Sequence, residues 1–139
     1  MNAFVLALIA ALTWGTSTLL EKIGLAAADP LAGVWARCVG VFAGGALMTF
    51  LVPQLPAKIH QMGWRSFAWL AAAGCCASVL GQIFFYRALK MGEVGRVAPV
   101  AGAWPLFAFF WSMLFLKEDP SPRKICGVLL VVLGVALLK

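Results

Sequence analysis

The chain has 139 residues, of which 63% are hydrophobic and only 12% are charged. So few polar side chains cannot cover a water-soluble globular domain, which excludes that class and predicts one polytopic membrane domain over residues 1–139. The formal net charge of +6 does not indicate a nucleic-acid partner, because the basic residues stand beside apolar runs, where anionic membrane lipids attract them.

Five apolar runs, separated by short polar segments, fill most of the chain. The first four contain 18 to 22 residues each, and about 20 apolar residues in a helix cross a hydrocarbon core about 30 Å thick. The fifth has only 14, but basic residues at both of its ends can reach the interface and the bilayer can thin locally. We therefore predict an all-α fold with five transmembrane helices. The runs are Ala3–Leu20, Leu31–Val52, Phe67–Tyr86, Val97–Leu116 and Ile125–Leu138.

The first run carries a polar helical face. Thr13, Ser17 and Glu21 follow one another at intervals of four residues, and Trp14 and Thr18 occupy the neighbouring stripe. This face could line a substrate path, or the hydroxyl groups could bond their own helix or a neighbouring one, as they commonly do in membranes. We expect Trp14, Ser17 and Thr18 to contact a substrate.

Arg37 lies about two turns inside the second run. A charge at the centre of a membrane helix costs about 2.5–3.5 kcal/mol on insertion scales. The side chain therefore either reaches the interface or pairs with a carboxylate, with backbone carbonyls or with an anionic group of the substrate. The sequence leaves these alternatives open, and we include Arg37 among the expected substrate-binding residues.

The acidic residues all fall at the ends of the runs or between them. Proton- and cation-coupled carriers commonly hold a carboxylate at membrane depth, and we expect none at that depth here. The five acids are Glu21, Asp29, Glu93, Glu118 and Asp119.

The third run also predicts a single polar face, because Cys75, Ser78, Gln82 and Tyr86 follow helical spacing. We expect the last three to contact the substrate, together with Trp104 of the fourth run.

The fourth run contains Pro99, Gly102 and Pro105 around Trp104. Proline removes a backbone donor and kinks a helix, which frees carbonyls that a ligand could use. Kinks are also frequent in membrane helices that bind no ligand.

The sequence contains no pattern typical of an enzyme, a cofactor site or a metal site. The four cysteines lie inside predicted helices without the spacing of a disulfide framework or a zinc site, and the sole histidine, His60, stands in a loop. No nucleophile–base pair or phosphate-binding loop is present. We predict a protein that is not an enzyme and holds no cofactor or metal.

The basic residues divide evenly between the two sides of the membrane that five spans imply. Orientation is normally set by an excess of lysine and arginine in cytoplasmic loops, and apart from Arg37 the count here is five against five. Either the chain inserts in both orientations and pairs antiparallel, or a partner or the insertion machinery fixes one orientation. One side holds Lys58, Arg65, Lys117, Arg123 and Lys124; the other holds Lys22, Arg87, Lys90, Arg96 and Lys139.

Several short motifs, in their order and spacing, resemble the EamA domain of the drug/metabolite transporter superfamily over essentially the whole chain. Most members carry two five-helix repeats of inverted topology in one polypeptide, whereas this chain resembles a single repeat. The resemblance therefore implies a homodimer, or a heterodimer with a similar protein. The motifs are Thr13–Ser17 with Lys22, Trp35–Arg37, Tyr86–Leu89 with Gly92 and Pro99, Leu116–Glu118, and Ile125–Val128 through Gly134 and Val135.

The chain is also similar to the four-helix small multidrug resistance proteins, whose members pair antiparallel. The glutamate that those proteins carry in the middle of their first helix is replaced here by Trp14, so cation/proton exchange of their kind is not implied. Arg37 suits a substrate with a carboxylate or a phosphate. Gly127 and Gly134, seven residues apart in the last run, resemble the small residues of their dimerising helix and predict a dimer interface, although the same glycines could pack inside one bundle.

These patterns predict a multi-pass transporter of the bacterial inner membrane that moves a small organic metabolite by alternating access as a dimer. Two alternatives remain open from the sequence. One is half of a flippase for a phosphate-linked lipid, and the other is a membrane subunit that binds a partner without transporting anything.

Overall fold

The first two helices are joined by a short capped loop. The computed structural model describes residues 2–138, in which α1 is Ala3–Gly24 and α2 is Pro30–Leu51. The Asp29 side chain accepts a hydrogen bond from the N–H of Leu31 at 2.8 Å, which satisfies a donor that the first turn of a helix leaves unpaired. Pro30 suits the first helical position because no N–H is needed there. The start of α2 is thus fixed by local sequence.

A long apolar helix follows the short helix α3, which is Leu55–Gln61. It begins after Gly63, whose φ of 75° is a left-handed conformation that glycine adopts without steric cost. The long helix has two α-helical parts, α4 (Trp64–Cys75) and α5 (Gln82–Met91), joined by a π-helical segment at Cys76–Gly81. The helix therefore extends beyond both ends of the predicted run.

The π-helical segment alters the helical spacing between α4 and α5. Its wider turns rotate α5 relative to α4, compared with a continuous α-helix. Gln82 and Tyr86 are buried, whereas Cys75 is exposed. Gln82 and Tyr86 lie on the buried face of α5, and the inclusion of Cys75 in the same face, which assumes 3.6 residues per turn throughout, stays a prediction.

The described chain divides between Lys90 and Met91 into two compact units. The second unit contains α6 (Val94–Ala101), α7 (Trp104–Phe115) and α8 (Pro122–Leu137). Helix α7 packs against α8. The N-cap of α8 is Ser121, so this helix begins three residues before the predicted run.

The break between α6 and α7 occurs where the sequence predicts a distortion by proline. Pro105 has no N–H to donate to the carbonyl of Ala101. The N–H of Gly102 still bonds the carbonyl of Ala98 at 2.7 Å, and the N–H of Ala103 then bonds the carbonyl of Val100 at 3.1 Å in a tighter turn. A Cβ at position 102 would lie 3.1 Å from the Ala98 oxygen and 3.2 Å from the Pro99 oxygen. Glycine therefore allows the tight turn.

Within residues 2–138, four helical stretches are long and apolar enough to cross a membrane. Helix α8 has 16 residues, so it spans about 24 Å at 1.5 Å per residue and is shorter than a hydrocarbon core. Its crossing of the membrane stays a prediction. The all-helical, membrane-spanning class predicted from the sequence is confirmed. The four stretches are Ala3–Gly24, Pro30–Leu51, Trp64–Met91 and Val94–Phe115.

Candidate functional site

An open cavity of about 620 Å³ lies in the first unit, between the last turns of α1 and the first turns of α2, with α5 contributing to its wall. This volume is in the range of small-molecule sites. Its polar lining consists of Ser17, Glu21, Arg37 and Tyr86, and most of the remaining wall is apolar, including the Trp35 ring.

Glu21 and Arg37 form an ion pair across the two helices that enclose this cavity. The Nε atom of Arg37 lies 3.4 Å from Oε1 of Glu21, and the two side chains are 30% and 11% exposed. Glu21 lies in the last turn of α1, which continues to Gly24, so it stands at a helix end as predicted. Of the alternatives left open for Arg37, the structure shows pairing with a carboxylate.

The same carboxylate oxygen of Glu21 contacts hydrogen-bond donors from three helices. Besides Arg37 of α2, the Gln82 amide of α5 donates to Oε1 of Glu21 at 3.0 Å, and the Ser17 hydroxyl of α1 donates to it at 3.4 Å. Gln82 is buried, so its amide reaches this bond without competition from bulk water. Hydrogen bonds to an ionised acceptor are stronger than neutral ones. Glu21 therefore links α1, α2 and α5.

The guanidinium of Arg37 has a buried hydrogen-bond donor that lacks an acceptor among the described residues. Its Nη1 atom has no hydrogen-bond partner among the described residues and is shielded from solvent. A buried donor without a partner is costly and uncommon in native structures, so it calls for an explanation. Because Arg37 lines the cavity, a ligand there could accept this hydrogen bond.

Tyr86 closes the cavity from α5. Its ring is 4% exposed, and its hydroxyl lies beside Glu21 and Gln82. The ring packs against Gly33 of α2, where a Cβ would lie 3.2 Å from two ring carbons and 2.9 Å from a methyl carbon of Leu25. The absence of a side chain at position 33 is what lets Tyr86 approach the α2 backbone.

Two lysines tie α5 to the end of α1 and the loop after it. The Lys22 ammonium donates to the carbonyl of Leu89. In the opposite direction, from α5 to the segment after α1, the Lys90 ammonium donates to the carbonyls of Leu25 at 2.7 Å and Ala28 at 2.8 Å. Carbonyls at the end of a helix lack intrahelical donors, and a cation there is also favoured by the helix dipole. These bonds hold the cavity wall in place, a role that the sequence analysis missed.

Four of the predicted substrate-binding residues meet around Glu21: Ser17, Arg37, Gln82 and Tyr86. The other four lie elsewhere. Thr18 bonds the carbonyl of Trp14 at 3.0 Å within its own helix, and Trp14 is 62% exposed. Ser78 lies in the π-helical segment, and Trp104 begins α7 in the second unit.

Sequence reasoning did not select Glu21 and Gly33 as site residues. The spacing of Ser17 and Glu21 did place the carboxylate on the polar face of α1, so a signal was present. It was discounted because the apolar run ends at Leu20, whereas the helix continues for one more turn. For Gly33 no local signal exists, because its role depends on Tyr86, 53 positions later in the chain.

The predicted interface glycines lie on an open face of α8. A Cβ added at Gly127 or Gly134 would have no neighbour within 4 Å among the described residues. Both positions are exposed. Neither glycine therefore serves close packing between the described helices of this chain.

Comparison with known proteins gives one family match over the whole chain. The model of the EamA-like transporter family matches residues 1–139. No solved structure matches.

Relatives are found in archaea and bacteria. An uncharacterised protein of Methanocaldococcus jannaschii is 25% identical over 137 residues, which cover 99% of this chain and 96% of the relative. An uncharacterised transporter of Archaeoglobus fulgidus is 32% identical over 60 residues, or 43% of this chain and 22% of that protein. An uncharacterised transporter of a Sinorhizobium species, from the region 3′ of cobO, is 30% identical over 81 residues, covering 58% of this chain and 57% of the relative.

Proposed function

Because the chain belongs to the EamA-like transporter family, we propose that it moves a small organic metabolite across a bacterial inner membrane by alternating access, and that the cavity between α1 and α2 holds the substrate. The family and the transporter relatives identify it as a multi-pass membrane transporter.

The buried, unpartnered Nη1 of Arg37 is the observation that carries this choice of site. An arginine presents five N–H donors in a planar fork, and the contact of Nε with Glu21 occupies only one edge of it. The cavity beside the fork has the volume of a small-molecule site. A substrate with an acceptor group would complete the hydrogen bonds of Arg37, which explains why the donor is left unsatisfied.

We also propose that two five-helix chains together form the transporter. In many transporters the substrate site lies at the interface of two repeats, and the sequence of this chain, which matches the family over residues 1–139, resembles a single repeat. We propose a homodimer with a second copy of this chain, and the alternative is a heterodimer with a similar protein. The open faces of Gly127 and Gly134 support a contact through α8, since small residues let membrane helices approach closely.

Uptake of a metabolite panel by purified protein in lipid vesicles tests the transport proposal. The test compares wild-type protein with Arg37→Lys and Arg37→Gln, because lysine keeps the charge but lacks the planar fork. Uptake should fall in both variants while expression is maintained. Arg65→Lys is the matched control, since Arg65 is exposed and stands outside the cavity. Unchanged uptake in both Arg37 variants would show that Arg37 does not bind substrate.

A further inference from the structure

We infer that the substrate carries an anionic oxygen group, a carboxylate or a phosphate, which replaces Glu21 as the partner of Arg37, and that Glu21 then takes up one proton that crosses with the substrate. This inference rests on the proposed function and gives that site a substrate class and a coupling ion. It depends on the ion pair, its partial burial and the unfilled donor of Arg37.

The first step is an exchange of partners at Arg37. Glu21 approaches the guanidinium through Nε at 3.4 Å, which is longer than the usual 2.7–2.9 Å of a strong charged hydrogen bond. Nη1 makes no bond among the described residues. A free carboxylate or phosphate is not tethered to a helix and can bind the fork through two parallel hydrogen bonds. The incoming anion can therefore satisfy donors that Glu21 leaves unused.

The second step is protonation of the displaced carboxylate. Glu21 is 11% exposed, and a partly buried carboxylate that loses its cation is destabilised unless it is neutralised. The ammonium groups of Lys22 and Lys90 donate to backbone carbonyls. A proton from the water of the open cavity would neutralise the displaced carboxylate.

The groups that face Glu21 fit the neutral acid as well as the anion. Ser17 has a hydroxyl that can donate or accept, and the Gln82 amide carries a carbonyl oxygen beside its N–H donors. Either side chain can therefore accept the O–H of a protonated Glu21 after a rotation of its terminal group. Tyr86, the other titratable neighbour, also has a hydroxyl of both kinds.

The exchange leaves the charge of the site unchanged. Before binding, Arg37 is balanced by the ionised Glu21; after binding a monoanion, Arg37 is balanced by the substrate and Glu21 is neutral. A site that stays neutral avoids moving an uncompensated charge through a medium of low dielectric constant. Transport of a monoanion with one proton should therefore not depend on the membrane potential.

Calorimetric titration of the purified protein, in two buffers with different ionisation enthalpies, counts the protons taken up on binding. The probes are acetate, succinate, dimethyl phosphate and, to distinguish a lipid headgroup from a soluble anion, dihexanoyl-phosphatidylglycerol below its micellar concentration. Wild-type protein should bind at least one probe with uptake of one proton per anion. Glu21→Gln should bind the same probe without proton uptake. Its affinity should rise about tenfold if loss of the competition between Glu21 and the anion for Arg37 contributes about 1.4 kcal/mol.

Glu93→Gln is the matched control, because Glu93 is exposed, its side chain makes no capping bond and it lies outside the cavity. It should keep the proton count of the wild type. A second readout needs no variant: infrared difference spectra of wild-type protein should gain the C=O band of a protonated carboxylic acid when the bound probe is added.

Three results would overturn the inference: no probe binding to either wild type or Glu21→Gln, binding to wild type without proton uptake, or an undiminished proton count in Glu21→Gln. If vesicles take up an uncharged or cationic metabolite while no anion binds, the transport proposal stands and this inference fails. Loss of vesicle uptake for the whole metabolite panel, with anion binding and the proton count intact, would instead count against transport itself.

Discussion

Gly33 and Tyr86 lie in direct contact between α2 and α5, and a Cβ at position 33 would come within 3.2 Å of two carbons of the tyrosine ring. The ring is buried and its hydroxyl lies beside Glu21. One missing side chain on α2 thus positions a polar group in the candidate site.

Gly33→Ala should therefore destabilise the protein and displace Tyr86. The new methyl group would also lie 2.9 Å from a carbon of Leu25, which is 2% exposed and has little room to move. Overpacking of this kind costs about 1–3 kcal/mol. The measurement is denaturant unfolding of the detergent-solubilised protein, with vesicle uptake as the functional readout.

Gly40→Ala is the control for this substitution. It lies on the same helix, and an added Cβ would have no neighbour within 4 Å among residues 2–138. Alanine is favoured over glycine in a helix by up to about 1 kcal/mol, so this variant should be unchanged or slightly more stable. Equal effects at the two positions would contradict the packing of Tyr86 on Gly33.

Helix content and polar faces could be predicted because hydrophobicity and helical spacing are local properties of the sequence. Ser17, Gln82 and Tyr86 follow from polar faces and Arg37 from its charge inside an apolar run, and the four meet around one carboxylate. The same spacing places their partner, Glu21, on the polar face of α1, but it does not select Glu21 as a site residue, because the end of an apolar run marks a change in polarity rather than the end of a helix. Helix α1 continues past Leu20 and carries Glu21 into contact with Arg37.

The rotation of α5 relative to α4 could not be predicted for a different reason. A π-helical segment has more residues per turn than an α-helix, and Cys76–Gly81 adopts this conformation where it contacts α2, far away in sequence. Hydrophobic periodicity assumes a constant number of residues per turn. It therefore groups Cys75 with Gln82, although only the second of them is buried.

A double-mutant cycle should show that Glu21 and Arg37 stabilise each other. Glu21→Gln leaves a partly buried guanidinium without its anion, and Arg37→Gln leaves a carboxylate that is 11% exposed without its cation. Each single change should lower the unfolding free energy, while the double variant should lose less than the sum, with a coupling of about 0.5–3 kcal/mol. Additive losses in denaturant unfolding would show that the two charges do not interact.

The even distribution of basic residues predicts insertion in both orientations. Labelling of single cysteines in the loops from each face of the membrane should detect two populations of wild-type protein. Two lysines added after Lys139, which lies outside the described residues, should shift the population towards a cytoplasmic C-terminus, because such added charges can flip a topology. One orientation in essentially all wild-type molecules would refute dual insertion.

The open face of α8 is the predicted dimer interface. Lipid supplies no hydrophobic drive for helix association, so membrane helices associate where small residues allow close contact. Gly127 and Gly134 are two turns apart, and an added side chain at either would meet nothing within 4 Å among the described residues. Gly127→Leu with Gly134→Leu should therefore convert a dimer to a monomer in detergent while the chain stays folded, as measured by cross-linking and mass photometry.

Gly44→Leu on α2, where the added Cβ is equally unobstructed, controls for the bulk of leucine and should leave the dimer intact. A double variant that dimerises like the wild type would exclude this face as the interface, and one that loses its fold would show that the glycines are needed within the chain.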